Sequence, residues 1–223
     1  MQREKLSVVI LTKNEADMVA RCLESVKWAD EIVIVDDNSK DDTVAVAKKY
    51  TDKIIINPLN GDFTKQRNMG TDNSSGDWIL QMDQDESVTP ELKCKILEIL
   101  RGGTGHAAFR FKRSNNFCGK FLEFGGENSH RPMRLFKKGR ARFTASDIRM
   151  DEALEVDGSV GDIDAVMEHY NFPDISRYVV RQDFYSTLEA KALFNKIGII
   201  PEKKLRRELT FGPAKLFFKM YIK

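Results

Sequence analysis

The chain reads as an α/β protein with a Rossmann-like, mostly parallel central sheet flanked by helices and a helical appendage at its C-terminal end. Three observations predict this class. In the first hundred residues, short runs rich in Val, Ile and Leu alternate with segments of helical periodicity. Those runs are apolar on consecutive positions, as strands covered on both faces are. Beyond residue 106 the alternation stops, and strand-like stretches follow one another before a basic helical tail.

"LSVVILT" (6–12) is the first strand. Asn14 is placed to cap a helix whose Met18, Cys22, Leu23 and Val26 share one face. "EIVIVDD" (31–37) is the second strand, and Asp41 or Asp42 caps a short helix in "SKDDTVAVAKKY". "KIIIN" (53–57) is the third strand, residues 64–73 are helical, and "DWILQMD" (77–83) is the fourth strand. Thr89 and Pro90 then start the helix "ELKCKILEILR". This alternation implies parallel strands joined by right-handed crossovers. In the second half, "AAFRFKR" (107–113), "RPMRLFKKG" (131–139) and "RARFTAS" (140–146) read as strands or hairpin arms. A longer helix over about residues 174–196 places Tyr178, Tyr185, Leu188 and Ala192 on one face. The expected organisation is one α/β domain over 1–173, with halves 1–90 and 91–173, and a helical segment over 174–223.

Composition narrows the classes. Cys22, Cys94 and Cys118 are odd in number and widely spaced, which argues against a disulfide framework or a cysteine zinc site and fits a reducing cytosol. The apolar core of "MQREKLSVVILTKNE" is too short for a signal peptide or a membrane span. No GxGxxG supports a dinucleotide enzyme and no GxxxxGK[ST] supports a P-loop, while "TKNEAD" lacks the glycines a nucleotidyltransferase wants after its first strand. Residues 191–223 carry nine Lys/Arg against two Glu, a net +7, and the remaining residues carry −5. A basic tail on a mildly acidic body points to an anionic partner, membrane lipid or nucleic acid.

The strand ends carry the chemistry. Strand one runs into "TKNE", strand two into "VDDNS" and strand four into "MDQDE", so all three polar clusters fall on the carboxyl edge of the sheet, where ligands of parallel α/β sheets bind. In an extended segment Asp83 and Asp85 point the same way with Gln84 opposite. Two converging carboxylates are costly alone and favourable around a divalent cation, which in turn can neutralise a diphosphate. A solvated loop before the Thr89–Pro90 helix would explain "DQDES" alone, but not the acids at the other two strand ends.

"SVVILTKNEADMVARCLESV", "EIVIVDDNSKDDT", "KQRNMG" and "GDWILQMDQDE" resemble, in order, the motifs of glycosyltransferase family 2, which has the GT-A fold. The resemblance is dense over roughly residues 5–90. "TKNE" and "RPMRLFKKG" are more similar to the bacterial subgroup of lipopolysaccharide-core β-1,4-glucosyltransferases. The resemblance implies inverting transfer from a UDP-sugar, with Mg²⁺ or Mn²⁺ at a DxD motif. It implies that Thr12, Asn14 and Glu15 line the nucleotide pocket and that Asp37 accepts from the uracil ring, Asp36 being as well read as a turn acid. Arg67, in the segment with Lys65 and Asn68, would contact diphosphate or base; Asp83 would face the ribose and diphosphate, and Asp85 the metal. His169 would complete the metal site, while His106 and His130 have no motif around them. Arg131 and Arg134 match an arginine pair that would bind a phosphorylated acceptor or the leaving diphosphate.

Inverting transfer needs a base on the acceptor side. Where the subgroup reads His-Glu, this chain reads Asp151-Glu152 within "RMDEALEVDG"; Glu152 is the first candidate and Asp151 the second. The expected partners are a UDP-sugar, a glycan or glycolipid acceptor and an anionic membrane surface touched by the C-terminal segment. Nucleic acid is not among them, and a second copy of the chain is left open. The expected place is the cytoplasmic face of the cell membrane. The alternatives are a polyprenyl-phosphate sugar synthase and a non-catalytic module that binds nucleotide-sugars or membranes.

Overall fold

The computed structural model describes residues 3–60, 62–123, 131–144, 153–199 and 201–221. In chain order the elements are β1 (Leu6–Thr12), α1 (Ala16–Val26), β2 (Glu31–Asp36), α2 (Thr43–Ala47), β3 (Ile54–Ile56), α3 (Phe63–Asp72), β4 (Trp78–Asp83), β5 (Glu86–Val88) and α4 (Pro90–Leu100). There follow β6 (Ala108–Phe117), β7 (Lys120–Phe121), β8 (Met133–Lys137), β9 (Ala141–Thr144), β10 (Ala153–Val156), β11 (Val160–Phe172), α5 (Ile175–Ile197) and α6 (Glu202–Tyr221).

The main sheet runs β3-β2-β1-β4-β8-β6-β11-β5, with β7 on β6, and β9 and β10 form a separate hairpin. β3, β2, β1 and β4 are mutually parallel. β8 enters antiparallel between β4 and β6, and β11 is parallel to β6. β5 closes the order, antiparallel to β11. Only Gln84 and Asp85 separate β4 from β5, yet the two strands stand at different places in the order. The sheet therefore curls until its β11–β5 end returns to the end of β4. That curl brings His169, paired in register with Glu86, to the acids of the fourth strand.

Both faces of β1 are buried, as its unbroken apolar run predicts. Val8 and Ile10 join α1 and α4 residues such as Leu23, Val26, Leu92 and Ile96 in one core. Val9 and Leu11 join Val33, Val35, Ile79, Phe136, Phe143 and Leu154 in the other. α3 lies tight on that second face: a Cβ on Gly70 would stand 2.2 Å from Val9 Cγ1. Only glycine permits this approach, and it lowers Arg67 of α3 onto the end of β4. Asn68 locks the same helix to the hairpin, donating to the Phe143 carbonyl at 2.9 Å and accepting from the Phe143 amide at 3.1 Å.

The structure departs from the sequence reading in four places. Asn14 does not cap α1; it has φ 47° and its Oδ1 accepts from the Lys40 amide, tying the β1 loop to the β2 loop. Residues 84 and 85 form a tight turn, so Asp83 and Asp85 do not lie on an extended segment. β11, which carries His169, is a thirteen-residue strand where the sequence showed none. Gly212–Pro213 reads in the sequence as a break in the C-terminal segment, yet α6 runs through Pro213. No helix among the described residues is long and apolar enough to cross a membrane.

Candidate functional site

The polar clusters meet at the carboxyl ends of β1, β2 and β4, as the topology requires. Asp36 is fully buried and structural: it accepts from Thr12 Oγ1 at 2.9 Å and from the Ser39 amide and hydroxyl at 2.7 and 2.6 Å. Thr12 thus turns its hydroxyl into this loop closure. Asp37 faces the edge, with one oxygen on the Leu59 amide at 2.7 Å and the other on Lys13 Nζ at 2.6 Å.

Two guanidiniums hold Asp83. Arg67 Nη2 donates to Oδ1 at 2.8 Å and Arg134 Nη2 to Oδ2 at 3.0 Å. Burial raises the Asp83 carboxyl, but the two arginines outweigh it and hold the group well below the usual carboxylate range. Glu86 lies inside the cluster. It is buried in β5, accepts from the Asp83 amide at 2.9 Å and lies 3.5 Å from Arg113 and 4.0 Å from Arg134. Among the described residues, Arg113 Nε and Arg134 Nε are buried without a hydrogen-bond acceptor.

Asp85 points the other way, into the curl. Its Oδ1 lies 3.4 Å from His169 Nε2, and its Oδ2 accepts from Arg181 Nη1 at 3.0 Å. Burial raises its pKa, but the charge and hydrogen bond of His169 and the charge of Arg181 bring it down to about 2. The stabilising contribution of this carboxylate is present above the ordinary carboxylate range and is lost as pH falls through about 2. His169 Nδ1 stands 2.7 Å from Asn115 Oδ1. An amide oxygen only accepts, so Nδ1 carries a proton and Nε2 faces Asp85. A neutral imidazole would then set a lone pair against a carboxylate oxygen. A proton or a divalent cation between the two satisfies both. The described residues contain no group of three or more His, Cys, Asp or Glu able to hold a metal. Asp85 and His169 are nevertheless a nitrogen–oxygen pair of the kind that fits a divalent cation.

Sequence reasoning missed four cations here. Lys13 takes Asp37, Arg113 approaches Glu86, and Arg181 takes Asp85. Glu15, expected in the nucleotide pocket, is paired with Arg177 Nη1 at 2.8 Å. The spacing of Arg177, Arg181 and Tyr185 at every fourth position of a helix was the available signal. The Tyr185 phenol is pushed up by desolvation first, with Arg181 opposing and Asp83 and Asp85 adding. Arg131 and Arg134 separate: Arg134 is buried on Asp83, whereas Arg131 is exposed and its charge is felt at Asp162. Asp151, Glu152 and His130 lie outside the described residues.

Residues 7–149, more than half of the chain, match the family described as Glycosyl transferase family 2. An uncharacterised glycosyltransferase of Rickettsia conorii is 30% identical over 230 residues, covering 96% of this chain and 79% of its own length. The lipopolysaccharide core biosynthesis glycosyltransferase LpsC of Rhizobium meliloti is 25% identical over 225 residues, covering 98% and 81%. Among solved structures, residues 1–349 of S. aureus TarS superpose with a TM-score of 0.55 at 19% identity, covering 98% of this chain and 75% of that one. Glucosyl-3-phosphoglycerate synthase of Mycobacterium tuberculosis, solved with Mg²⁺ and UDP, gives 0.54 at 15% identity, covering 89% and 81%. The mannosyltransferase PcManGT of Pyrobaculum calidifontis, solved with GDP-Man and Mn²⁺, gives 0.56 at 14% identity, covering 99% and 71%. The curled, mostly parallel sheet is that of the GT-A enzymes. The chain belongs to glycosyltransferase family 2 and is a glycosyltransferase.

Proposed function

We propose that the protein transfers a hexose from a UDP-sugar, with inversion, to a hydroxyl of a cell-envelope glycan or glycolipid such as lipopolysaccharide core. The observation that carries this reading is the convergence, on one sheet edge, of Asp37, the Arg67–Asp83–Arg134 cluster and the Asp85–His169 pair. The base, ribose and diphosphate of a nucleotide-sugar need a carboxylate, a hydrogen-bonding edge and cations in that order. The resemblance to LpsC favours the envelope acceptor.

In this reading Asp37 exchanges Lys13 for the uracil N–H, and the freed Lys13 turns to phosphate. Arg67 and Arg134, held in place by Asp83, present donors to the diphosphate, and the unpartnered Arg134 Nε is one of them. Asp85 and His169 would hold Mg²⁺ or Mn²⁺, which supplies Lewis-acid neutralisation of the leaving diphosphate. Glu152, or Asp151 beside it, takes the acceptor's proton as its oxygen attacks. With UDP or a UDP-sugar, the melting temperature is expected to rise only when Mg²⁺ or Mn²⁺ is present. A screen that finds no shift with any nucleotide across a series of divalent metals counts against this reading, and a metal-dependent shift with GDP alone would replace uridine.

We also assign the C-terminal segment to an anionic lipid surface. Lys203, Lys204, Arg206 and Arg207 cluster on α6, whose Leu205, Leu209, Phe211, Phe217 and Phe218 are exposed. Basic residues near an anionic surface contribute about 1 kcal/mol each, and an apolar flank adds to this. Leu216, Phe217, Met220 and Tyr221 recur at helical spacing in the sequence; of these the Leu216, Met220 and Tyr221 side chains lie outside the described ones. The full chain is expected to sediment with vesicles containing anionic lipid, less so in high salt, and a chain lacking residues 203–223 is expected not to. Equal sedimentation of both chains, or concentration-dependent dimerisation through α6 with no lipid binding, would refute the assignment.

A further inference from the structure

The cation on Asp85 comes from an element that the rest of the edge does not require. α5 is largely exposed and meets the sheet through Tyr178, whose ring packs edge-on against Phe117 and Phe172 at 5.5 and 4.9 Å. From that anchor the helix reaches the site with two arginines one turn apart. Arg177 holds Glu15 of the β1 loop, and Arg181 holds Asp85 of the β4 turn while its Nη2 lies 4.0 Å from Glu15. Arg181 Nη1 also donates to the Asn171 carbonyl at 2.9 Å. That carbonyl belongs to the end of β11, so the guanidinium has a fixed seat beside the site, independent of Asp85.

The contact with Asp85 Oδ2 is in competition with the reading above, on which this inference rests. Arg181 holds Oδ2 of the same carboxylate whose Oδ1 faces His169, so a divalent cation between Oδ1 and His169 would share that one negative charge with the guanidinium, and the two cations repel across it. Metal on Asp85 therefore weakens the hold on Arg181. The released side chain, still seated on the Asn171 carbonyl, keeps free N–H groups in the planar fork that matches phosphate oxygens. Metal-bound diphosphate is the anion that arrives at that place.

We propose that Arg181 is a donor-positioning residue that exchanges partners. It yields Asp85 to the divalent cation and then binds the diphosphate of the nucleotide-sugar, so that α5 closes over the donor it helps to bind. Arg177, exposed and paired with Glu15, ties the same helix down without competing for the metal.

The test is a pair of equilibrium titrations: Mn²⁺ alone, followed by the resonance of free Mn²⁺, and UDP at saturating Mn²⁺, followed by calorimetry. Removing the competing guanidinium in Arg181→Ala is expected to tighten binding of Mn²⁺ alone by about tenfold and to weaken UDP by about tenfold, the scale of one charge-assisted hydrogen bond. Arg181→Lys is expected to restore the competition with Mn²⁺ but only part of the UDP affinity, since an ammonium has no fork. Arg177→Ala, which loosens the same helix, is expected to leave the affinity for Mn²⁺ alone unchanged. A merely structural brace would give the opposite result, with Arg181→Ala weakening both ligands; that outcome, or no change in either, overturns the proposal. If the wild-type chain binds UDP with Mn²⁺ and Arg181→Ala binds both ligands equally well, only the exchange falls. If the wild-type chain binds no nucleotide with any metal, the donor reading falls and takes the exchange with it.

Discussion

Asp85→Asn is expected to lower the metal-dependent affinity for UDP by about 10² or more, the range set by removing one member of a buried charge cluster. The asparagine keeps the size of the side chain but loses the charge that pairs with His169 and Arg181 and that would bind the cation. Calorimetric titration of UDP at fixed Mn²⁺ measures the loss directly. The variant also leaves Arg181 with only the Asn171 carbonyl, so its melting temperature should fall without ligand. The two effects separate, because a loss of stability alone would leave the UDP affinity of the folded fraction intact. Asp83→Asn makes a useful contrast. Both Asp83 oxygens are engaged by Arg67 and Arg134, so its loss should weaken UDP binding at saturating metal while leaving the affinity for Mn²⁺ alone nearly unchanged. Full retention of the metal-dependent melting shift in Asp85→Asn would remove Asp85 from the metal site.

β1, β2 and β4 were legible in the sequence because each is a short run buried on both faces, a signal that does not depend on what packs against it; β3 was legible from its three consecutive isoleucines, although it is only partly buried. β11 was not. Its buried Ile163, Ala165, Met167 and His169 alternate with Asp162, Asp164, Val166 and Glu168, so the period of two is present. Three acids and a histidine lower its apolar content and mask it. β5 is three residues long and contains Glu86, and no local rule marks "ESV" as a strand. It becomes one because the curl sets it beside β11.

The site divides in the same way. Its acids could be placed from strand ends alone, since position on the carboxyl edge follows from parallel topology. Their partners could not. Arg181 is 96 residues from Asp85, and Arg134 is 51 from Asp83. Which cation meets which acid is decided by the closure of the sheet and by the path of α5 across it. Asp36 and Asp37 show the limit most simply. The sequence made them equivalent neighbours, whereas the fold buries one in a loop closure and leaves the other at the edge.

Glu152→Gln is expected to reduce turnover by about 10² or more while leaving UDP affinity in the presence of metal nearly unchanged, as the loss of a general base does. The expectation draws on the described residues that flank the segment. Thr144 and Ala153 are the pair of the β9–β10 hairpin that adjoins it. Phe143, the neighbour of Thr144, is fixed to Asn68 and lies 5.6 Å from the Arg67 guanidinium that holds Asp83. Residues 144 and 153, which flank 145–152, thus belong to a hairpin anchored beside the Arg67–Asp83 cluster. Asp37, Asp83 and Asp85 are each already engaged by a cation, which leaves the base to be sought in that span. Asp151→Asn is the companion variant, and comparing the two by initial rates at saturating donor identifies the base. Loss in Asp151→Asn with full activity in Glu152→Gln would transfer the role to Asp151. Full activity in both would place the base outside this segment and leave the donor half of the reading standing.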